Sequence, residues 1–276
     1  MAIDMFYYFN GRIVPAEEAK ITVRDIAVLR GFGIFDFFRT SRGKPFLMDD
    51  YLARFVNSAK LMGLSFPHGE DELGEIVLET LRANKLPEAG IRLVLTGGDS
   101  PNAFLPAEPN FAILIEPLHW PDEDWLTNGV KLISYPYQRE FSRIKTIHYI
   151  PAIMLQEKAK AAGAVDVLYH HNGEIREVTR SNFFLVKDGR ISTPNDHILF
   201  GVTRKKAIEL ARMFWPVEER AVLFGEIAEA DECFMTGTTK KITPVVAIDG
   251  KVIGNGKPGP VTNRLMKIFE EFEAGY

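Results

Sequence analysis

Two ionisable residues in the second half of the chain, Lys145 and Glu177, could form the centre of an active site. Lys145 lies among apolar residues shortly after a strand-like run at 130–135, where desolvation would disfavour its charge and lower its pKa. A neutral lysine amine is the form that makes a Schiff base. The plainer alternative is that Lys145 extends from a strand end to solvent and that Glu177 is a surface charge. The spacing between the two residues fits both interpretations.

Two short segments and one arginine could bind a phosphate group. Gly201-Val202-Thr203 precedes a predicted helix, where free backbone N–H groups and the helix dipole favour an anion. Thr236-Gly237-Thr238-Thr239 follows a predicted strand and combines a glycine with small hydroxylated residues. Arg54 faces away from the apolar side of its predicted helix and could bind a phosphate through two N–H groups. The alternatives are that the first segment is only a helix cap, that the second is only a turn, and that Arg54 is a solvated side chain.

The hydrophobic pattern of the first half predicts the elements that must position these residues. They are a hairpin at 5–14 around Asn10-Gly11, strands at 34–40 and 45–48, a helix capped by Asp49 and ended by Gly63, a helix at 71–84, and strands at 91–96 and 111–115. This order of strands and helices predicts a small α+β domain over residues 1–118.

The second half reads as a larger domain with more strands. It contains predicted strands at 130–135, 166–170, 183–186, 190–192, 232–235, 244–248 and 251–253, and predicted helices at 151–162, 201–214 and 261–272. The last helix should bury Leu265, Ile268 and Phe272. We assign residues 119–129 to an interdomain linker and residues 130–276 to the large domain.

Composition excludes several classes of protein. A net charge of −4 over 276 residues provides no electrostatic case for binding nucleic acid or an anionic membrane. The single cysteine, Cys233, cannot form a disulfide within the chain. Residues 1–5 carry no basic segment before an apolar run, and no apolar run is long enough to span a membrane, so we expect a cytoplasmic protein. His170 and His171 lack further ligands at suitable spacing, so no metal site is expected.

Taken together, these motifs resemble one family, the class IV aminotransferases. These fold-type IV pyridoxal-phosphate enzymes include D-amino-acid and branched-chain aminotransferases and aminodeoxychorismate lyase. The resemblance covers nearly the whole chain and rests on motifs in the family's order: Phe35-Asp36-Phe37-Phe38-Arg39, Arg54, Ile144-Lys145, Glu177 with Ser181-Asn182-Phe183, Gly201-Val202-Thr203-Arg204, and Met235-Thr236-Gly237-Thr238-Thr239 before Ile242-Thr243-Pro244. It implies an α+β fold of fold type IV, with a small N-terminal α/β domain and a larger, β-rich C-terminal α/β domain.

The resemblance also implies the cofactor, pyridoxal 5'-phosphate, and the residues that bind it. Lys145 would carry the cofactor through a Schiff base and then move the proton at the α-carbon of the substrate. Glu177 would keep the pyridine nitrogen protonated, so that the ring accepts electrons. The cofactor's phosphate would be held by residues from both halves of the chain: Arg54, Val202, Thr203, Gly237 and Thr238.

Three departures from the family pattern concern the substrate. Arg180 stands where relatives have a small residue after the glutamate, and Arg30 stands where branched-chain enzymes often have an aromatic residue. The Arg-x-His pair that typical D-amino-acid aminotransferases offer to the substrate carboxylate is missing from residues 101–104. We therefore predict that Arg30 and Arg180 bind the α-carboxylate. The alternative is that Arg30 pairs with Asp36 and that Arg180 points to solvent.

In this family the segment around Arg30 often belongs to the active site of the neighbouring subunit, so a homodimer with a shared active site is implied. Phe35 and Phe37 lie two residues apart on a predicted strand. We expect one of them to face the core and the other, which we assign as Phe35, to face the substrate pocket or the dimer partner.

The resulting functional prediction is ping-pong transamination between an amino acid, by preference a D-amino acid, and a 2-oxo acid such as 2-oxoglutarate or pyruvate. A branched-chain L-amino-acid aminotransferase is the first alternative. An aminodeoxychorismate lyase, which needs no oxo-acid acceptor, is the second. A cofactor-binding protein without turnover is the alternative from a different class.

Overall fold

The computed structural model describes residues 5–276, which form two compact units. Unit 1 comprises the residues up to His119 together with Ile144–His148, and unit 2 comprises Trp120–Arg143 and Tyr149–Tyr276. The signal-peptide expectation rests on residues 1–5, of which 1–4 lie outside the described range. Within the described range no helix has both the length and the apolar character needed to cross a membrane.

Unit 1 is built on a six-stranded antiparallel sheet in the order β2-β1-β6-β5-β3-β4. Its strands and helices are β1 (Phe6–Phe9), β2 (Arg12–Pro15), α1 (Ile26–Arg30), β3 (Gly33–Ser41), β4 (Lys44–Pro45), α2 (Met48–Met62), α3 (Glu70–Arg82), β5 (Ala89–Thr96) and β6 (Phe111–Pro117). The predicted first hairpin is confirmed. Its turn residues Asn10 and Gly11 have φ values of 44° and 94°, as a tight two-residue hairpin turn requires.

Helix α2 follows the predicted apolar stripe but begins differently. It buries Leu52, Phe55 and Ala59 and ends at Gly63, whose φ of 71° confirms the predicted left-handed cap. The prediction that Asp49 caps the helix is wrong, because the helix begins at Met48 and Asp49 lies in its first turn. The strand predicted at 45–48 is correspondingly shorter, since the chain turns into the helix directly after β4.

Unit 2 is built on a nine-stranded mixed sheet in the order β12-β11-β10-β13-β14-β7-β8-β9, with β15 beside β14. The pairs β11–β12, β14–β7 and β7–β8 are parallel. Its elements are α4 (Asp124–Asn128), β7 (Val130–Pro136), α5 (Ile150–Met154), α6 (Gln156–Ala161), β8 (Asp166–His171), β9 (Glu174–Val178), β10 (Asn182–Lys187), β11 (Arg190–Thr193), α7 (Val202–Ala211), β12 (Val217–Glu219), β13 (Glu232–Gly237), β14 (Lys241–Ile248), β15 (Lys251–Val252) and α8 (Pro260–Gly275).

The core of unit 2 explains why its central strands read as continuous apolar runs. Strand β10 is buried from Asn182 to Val186, because both faces of the sheet are covered there. Cys233 on the neighbouring strand β13 is buried as well, and burial raises the pKa of its thiol. This cysteine is therefore a packing residue and not a nucleophile.

Three helix predictions for unit 2 need correction. The helix predicted at 151–162 is two short helices that meet at Leu155. The helix predicted to run to residue 214 ends at Ala211. Helix α8 buries Leu265 as predicted, but Phe269 is its second fully buried apolar residue, and the predicted Ile268 and Phe272 are only half-buried. The mixture of sheets and helices in both units confirms the α+β class.

Candidate active site

Lys145 lies on a short extended segment of unit 1 that pairs with the start of β3. The backbone N–H of Phe35 donates a hydrogen bond to the carbonyl of Lys145 (3.0 Å), and that of Ile147 donates to the carbonyl of Gly33 (3.1 Å). On the other side, the N–H of Lys145 donates to the hydroxyl of Ser58 on α2 (3.4 Å). The backbone of Lys145 is therefore held by both a strand and a helix.

The side chain of Lys145 is half-buried beside an aromatic ring. Its Nζ atom lies 4.6 Å from the centroid of the Phe35 ring. An amine over a ring face makes a favourable cation–π contact when it is charged. Two of the predicted site residues, Lys145 and Phe35, thus meet in unit 1.

Phe35 and Phe37 occupy the same face of β3. Both are half-buried, and the guanidinium carbon of Arg92 lies 5.9 Å and 5.0 Å from their ring centroids. The expectation that one ring faces the core and the other a pocket is wrong, because residues two apart on a strand point to the same side.

Arg54 is paired with a fully buried carboxylate. Its Nε and Nη2 atoms donate to the two oxygens of Asp36 at 2.9 Å and 2.6 Å, and the guanidinium lies 5.1 Å from the Tyr51 ring centroid. The alternatives of a solvated Arg54 and of an Arg30–Asp36 pair are therefore both wrong. Arg54 and Ser58 are four residues apart on α2, so one face of this helix contacts both Asp36 and the Lys145 segment.

Arg30 lies apart from this group. It is exposed in the last turn of α1, and its Nη1 donates to the neighbouring carbonyl of Leu29 (2.8 Å). Among the described residues of unit 1, no hydrogen bond, ion pair or ring contact joins Arg30 to Lys145, Phe35 or Arg54. Any contribution of Arg30 to substrate binding remains a prediction.

In unit 2, Glu177 is buried at the end of β9 and its two oxygens have separate partners. Oε1 accepts a hydrogen bond from Nη1 of Arg139 (3.1 Å), and Oε2 accepts one from the N–H of Leu199 (2.9 Å). A buried carboxylate needs such partners because an isolated charge is costly to remove from water. The alternative that Glu177 is a surface charge is wrong.

The predicted anion site at residues 201–203 lies at the start of α7. Gly201 occupies the N-cap position, no side chain caps the helix, and its first turn carries no acidic residue. A Cβ at Gly201 would lie 2.2 Å from Oδ1 of Asn182, whose Nδ2 donates to the carbonyl of Leu199 (2.8 Å). Because the first N–H groups of a helix lack intrahelical acceptors, Val202 and Thr203 can offer theirs to an anion.

The second predicted anion site, at Gly237 and Thr238, lies against the turn at 178–181. A Cβ at Gly237 would be 3.2 Å from the Ser181 hydroxyl and 3.4 Å from the carbonyl of Arg180. The side chain of Arg180 is exposed and makes no hydrogen bond or ion pair with the described residues of unit 2. The adjacent Thr236 hydroxyl is buried without a hydrogen-bond partner in the described part of the chain.

A cavity of about 520 Å³ in unit 1 is separate from these residues. Its lining includes Tyr8, Asn10, His68, Asp99 and Phe111, and none of the predicted site residues. We therefore do not assign it to the candidate active site.

Comparison with known proteins decides the family. The model of the family described as "Amino-transferase class IV" matches residues 33–248. The chain belongs to this family. It is 31% identical to the D-alanine aminotransferase of Bacillus licheniformis over 264 residues, which cover 93% of both chains.

Solved structures of branched-chain amino acid aminotransferases have the same fold. The branched-chain amino acid aminotransferase of Escherichia coli has a TM-score of 0.92 and 29% identity, covering 99% of this chain and 95% of that chain. The branched-chain enzyme of T.th., solved with pyridoxamine 5'-phosphate, has a TM-score of 0.89 and 30% identity, with the same coverage. The predicted family, the fold-type IV architecture, the aminotransferase activity and the cofactor pyridoxal 5'-phosphate are thereby confirmed.

The residues present fit this cofactor chemically. A buried carboxylate in unit 2 is suited to a protonated ring nitrogen, and the uncapped start of α7 is suited to a phosphate. The unpartnered hydroxyl of Thr236 is a further polar group beside the Gly237 turn. Lys145 in unit 1 supplies the amine that an aldehyde requires.

Sequence reasoning missed the residues that support the site. Arg139, Leu199 and Ser58 each hold a predicted site residue, but they lie between 22 and 87 positions away from it in the chain. With 33 lysines and arginines available, no local signal marks Arg139 as the partner of Glu177.

Proposed function

We propose that this class IV aminotransferase moves the amino group of a D-amino acid to a 2-oxo acid, such as 2-oxoglutarate or pyruvate, by a ping-pong mechanism. The observation that carries the transaminase part of the proposal is Arg180, an exposed cation three residues after the buried Glu177, which could bind the α-carboxylate of either a D- or an L-donor. A guanidinium binds a carboxylate through two parallel N–H groups. The choice of a D-amino acid as donor is supported by the similarity to the Bacillus licheniformis D-alanine aminotransferase.

In this proposal Lys145 holds the cofactor through Nζ, and its amine moves the proton at the substrate's α-carbon. The bound cofactor supplies a ring that accepts the electrons left at that carbon. Glu177 holds the proton on the ring nitrogen, and its contacts with Arg139 and Leu199 keep the carboxylate in one orientation. Fixing these groups in advance lowers the entropic part of the barrier.

The phosphate of the cofactor is bound, we propose, by groups from both units: Arg54, Val202, Thr203, Gly237 and Thr238. Val202 and Thr203 contribute N–H groups at the start of α7, where the helix dipole favours an anion. Arg54 already contacts Asp36, but a guanidinium carries five N–H donors and can bind a carboxylate and a phosphate together.

The substrate's carboxylate is bound by Arg30 and Arg180, and Phe35 borders the substrate. We assign Arg30 to the neighbouring subunit of a homodimer with a shared active site. Large apolar side chains exposed on unit 1 support such an interface, including Val23 at 79% and Phe104 at 76% exposure. The division into a small domain at 1–118, a linker at 119–129 and a large domain at 130–276 stays a proposal from the sequence. The two compact units divide the chain differently, since Ile144–His148 belongs to unit 1 and α4 belongs to unit 2.

A branched-chain L-amino-acid aminotransferase is the second candidate. It is supported by the structural similarity to the Escherichia coli branched-chain enzyme at a TM-score of 0.92. The two candidates differ in the stereochemistry of the donor, so one experiment separates them.

That experiment mixes the purified holoenzyme with single D- and L-amino acids and follows the absorbance of the cofactor. We expect D-alanine and D-glutamate to convert the aldehyde form to the amine form at least about tenfold faster than L-leucine or L-valine do. The reverse order would overturn the D-amino-acid proposal and favour the second candidate. Arg30→Ala and Arg180→Ala should each slow the reaction with D-alanine and D-glutamate, and unchanged rate constants would contradict the carboxylate clamp.

The role of Lys145 is tested by borohydride reduction of the holoenzyme followed by peptide mass spectrometry. We expect the cofactor's mass on the peptide that contains Lys145 and on no other. Lys145→Ala should lose this label, whereas Lys158→Ala, which removes an exposed lysine of α6, should keep it. A label on a different lysine would show that Lys145 is not the attachment site.

A further inference from the structure

A second lysine of unit 2, Lys240, is buried in the turn between β13 and β14. Its Nζ atom donates hydrogen bonds to Oδ2 of Asp166 (2.7 Å) and to the hydroxyl of Ser181 (3.1 Å). Lys240 is only 8% exposed and Asp166 only 6%. No step of the reaction described above uses this pair, so its position needs a separate explanation.

Asp166 extends the contact to a second residue of the turn at 178–181. Its Oδ1 atom accepts hydrogen bonds from the hydroxyl of Thr179 and from the N–H of Val167 (2.9 Å). Burial alone would raise the pKa of Asp166, but the Lys240 ammonium and these hydrogen bonds outweigh burial and hold it below its usual value. The 2.7 Å contact between Nζ of Lys240 and Oδ2 of Asp166 has the geometry of a buried ion pair.

The same turn is also held through its backbone. The N–H of Val178 donates to the carbonyl of Ser181 (2.8 Å), and the N–H of Thr179 donates to the carbonyl of Val167 (3.2 Å). The two residues that flank Arg180 therefore both contact the ion pair: Thr179 bonds to Asp166, and Ser181 bonds to Lys240. Arg180 itself stays exposed at the tip of the turn.

We propose that the Lys240–Asp166 pair positions Arg180 for binding the substrate's carboxylate. The inference rests on the proposed function, in which Arg180 contacts that carboxylate. A bidentate contact tolerates only small displacements, so the backbone that carries the arginine must be fixed before substrate binds. Stability alone does not require this pair, because a buried ion pair can often be replaced by uncharged residues without loss.

The test uses the double variant Asp166→Asn/Lys240→Met, which removes both charges and leaves no buried charge without a partner. Lys240→Met alone would leave the Asp166 carboxylate buried without its cation. A loss of activity in that variant could then reflect unfolding, so it is not used. Lys241→Met is the matched control, since it removes the next lysine, which pairs with Glu273 at 2.9 Å. All variants are prepared as holoenzymes, with D-alanine as donor and 2-oxoglutarate as acceptor.

We expect the double variant to raise KM for 2-oxoglutarate about tenfold, with kcat changed by less than about threefold. Arg180→Ala should raise KM to a similar level. Adding Arg180→Ala to the double variant should cause no further increase, because both changes remove the same interaction. Lys241→Met should behave as the wild type.

A second measurement is independent of catalysis. Hydrogen–deuterium exchange of the holoenzyme should be at least about tenfold faster at the amides of Val178 and Thr179 in the double variant, and unchanged in Lys241→Met. The positioning role would be overturned if the double variant kept the wild-type KM and the wild-type exchange rates. It would also be overturned if Arg180→Ala and the double variant raised KM additively. An unchanged KM in Arg180→Ala would instead overturn the carboxylate role of Arg180, and the inference with it.

Discussion

Several buried carboxylates in this structure have a basic side chain as partner. Three of them belong to the candidate site or its surroundings: Asp36 with Arg54, Glu177 with Arg139, and Asp166 with Lys240. The pairing follows from the cost of burying an isolated charge. The partners are 18, 38 and 74 positions apart in sequence, so no local pattern could have predicted them.

The Asp166–Lys240 pair leads to a prediction about acid stability. The pKa of Asp166 is lowered in the folded state, so its contribution to stability is present above about pH 4 and is lost as pH falls through the lowered pKa. Between about pH 6 and pH 3, the urea unfolding free energy of the wild type should fall more than that of Asp166→Asn/Lys240→Met.

The control for this comparison is Glu271→Gln, which changes an exposed acid on α8. It should follow the wild type between the two pH values. If the wild type and the double variant lost the same unfolding free energy between the two pH values, the ionisation of Asp166 would not contribute to stability.

At the scale of elements, β3 positions Lys145 because its two ends have different neighbours. Strand β4 pairs only with Thr40 and Ser41 at the far end of β3. The near end, at Gly33 and Phe35, is therefore left for the segment that contains Lys145. Because β4 is only two residues long, most of this edge of β3 stays open, and the segment that contains Lys145 pairs with it there.

Gly33→Ala should disturb this arrangement. A Cβ at Gly33 would lie 2.9 Å from the carbonyl oxygen of Leu95 and 3.2 Å from Cδ1 of Ile147, so either β5 or the lysine segment must move. We expect a loss of about 1–3 kcal/mol in unfolding free energy, measured in urea, and a fall in kcat/KM. Gly69→Ala, where a Cβ meets nothing within 4 Å, should change kcat/KM little. Wild-type stability and activity in Gly33→Ala would contradict the argument.

Helix α8 shows how one element can cap another. Its N-cap residue, Gly259, has no side chain, and the carboxylate of Glu232 on β13 accepts hydrogen bonds from the N–H groups of Val261 (2.9 Å) and Thr262 (2.7 Å). A carboxylate at this place satisfies two free N–H groups and interacts favourably with the helix dipole.

Glu232→Gln should therefore reduce the unfolding free energy by about 1–2 kcal/mol, because the amide has one acceptor oxygen and no charge. The measurement is urea unfolding followed by circular dichroism. Glu270→Gln, at an exposed position of the same helix, should remain within about 0.5 kcal/mol of the wild type. Equal stability of the two variants would contradict the capping role.

At the scale of the whole molecule, exposed apolar side chains on unit 1 are the feature that points to a partner. Val23, Phe104 and Leu105 are 79%, 76% and 53% exposed. Phe104 and Leu105 are neighbours in sequence, and exposed apolar side chains mark an interaction surface where they are grouped. A second copy of the chain is the partner that the proposed shared active site requires.

Light scattering of the purified protein should therefore give a mass twice the 31.1 kDa of one chain. Val23→Asp/Phe104→Asp should shift the protein toward monomer and reduce activity, because the proposed site needs Arg30 from the partner. Met213→Asp, an equally drastic change at an exposed apolar residue of unit 2, is the control. A fully active monomer would contradict the shared site.

Most elements of the fold could be predicted from local patterns, and the errors lie where tertiary contacts prevail. The Asn10-Gly11 hairpin and the end of α2 at Gly63 depend on backbone conformations that few residues adopt, so sequence identifies them directly. The start of α2 was missed, because the chain turns at Leu47 in a left-handed conformation that its sequence does not suggest.

The sequence by itself determined the family, the cofactor and the α+β class, because these follow from short motifs in a particular order and from the periodicity of apolar residues. Only the tertiary structure decided which cation meets which buried acid, that Lys145 pairs with β3, and that Lys240 lies beneath the Arg180 turn. The physical reason is distance along the chain. Motifs and periodicities are local, whereas the contacts that bury a charge join residues tens of positions apart.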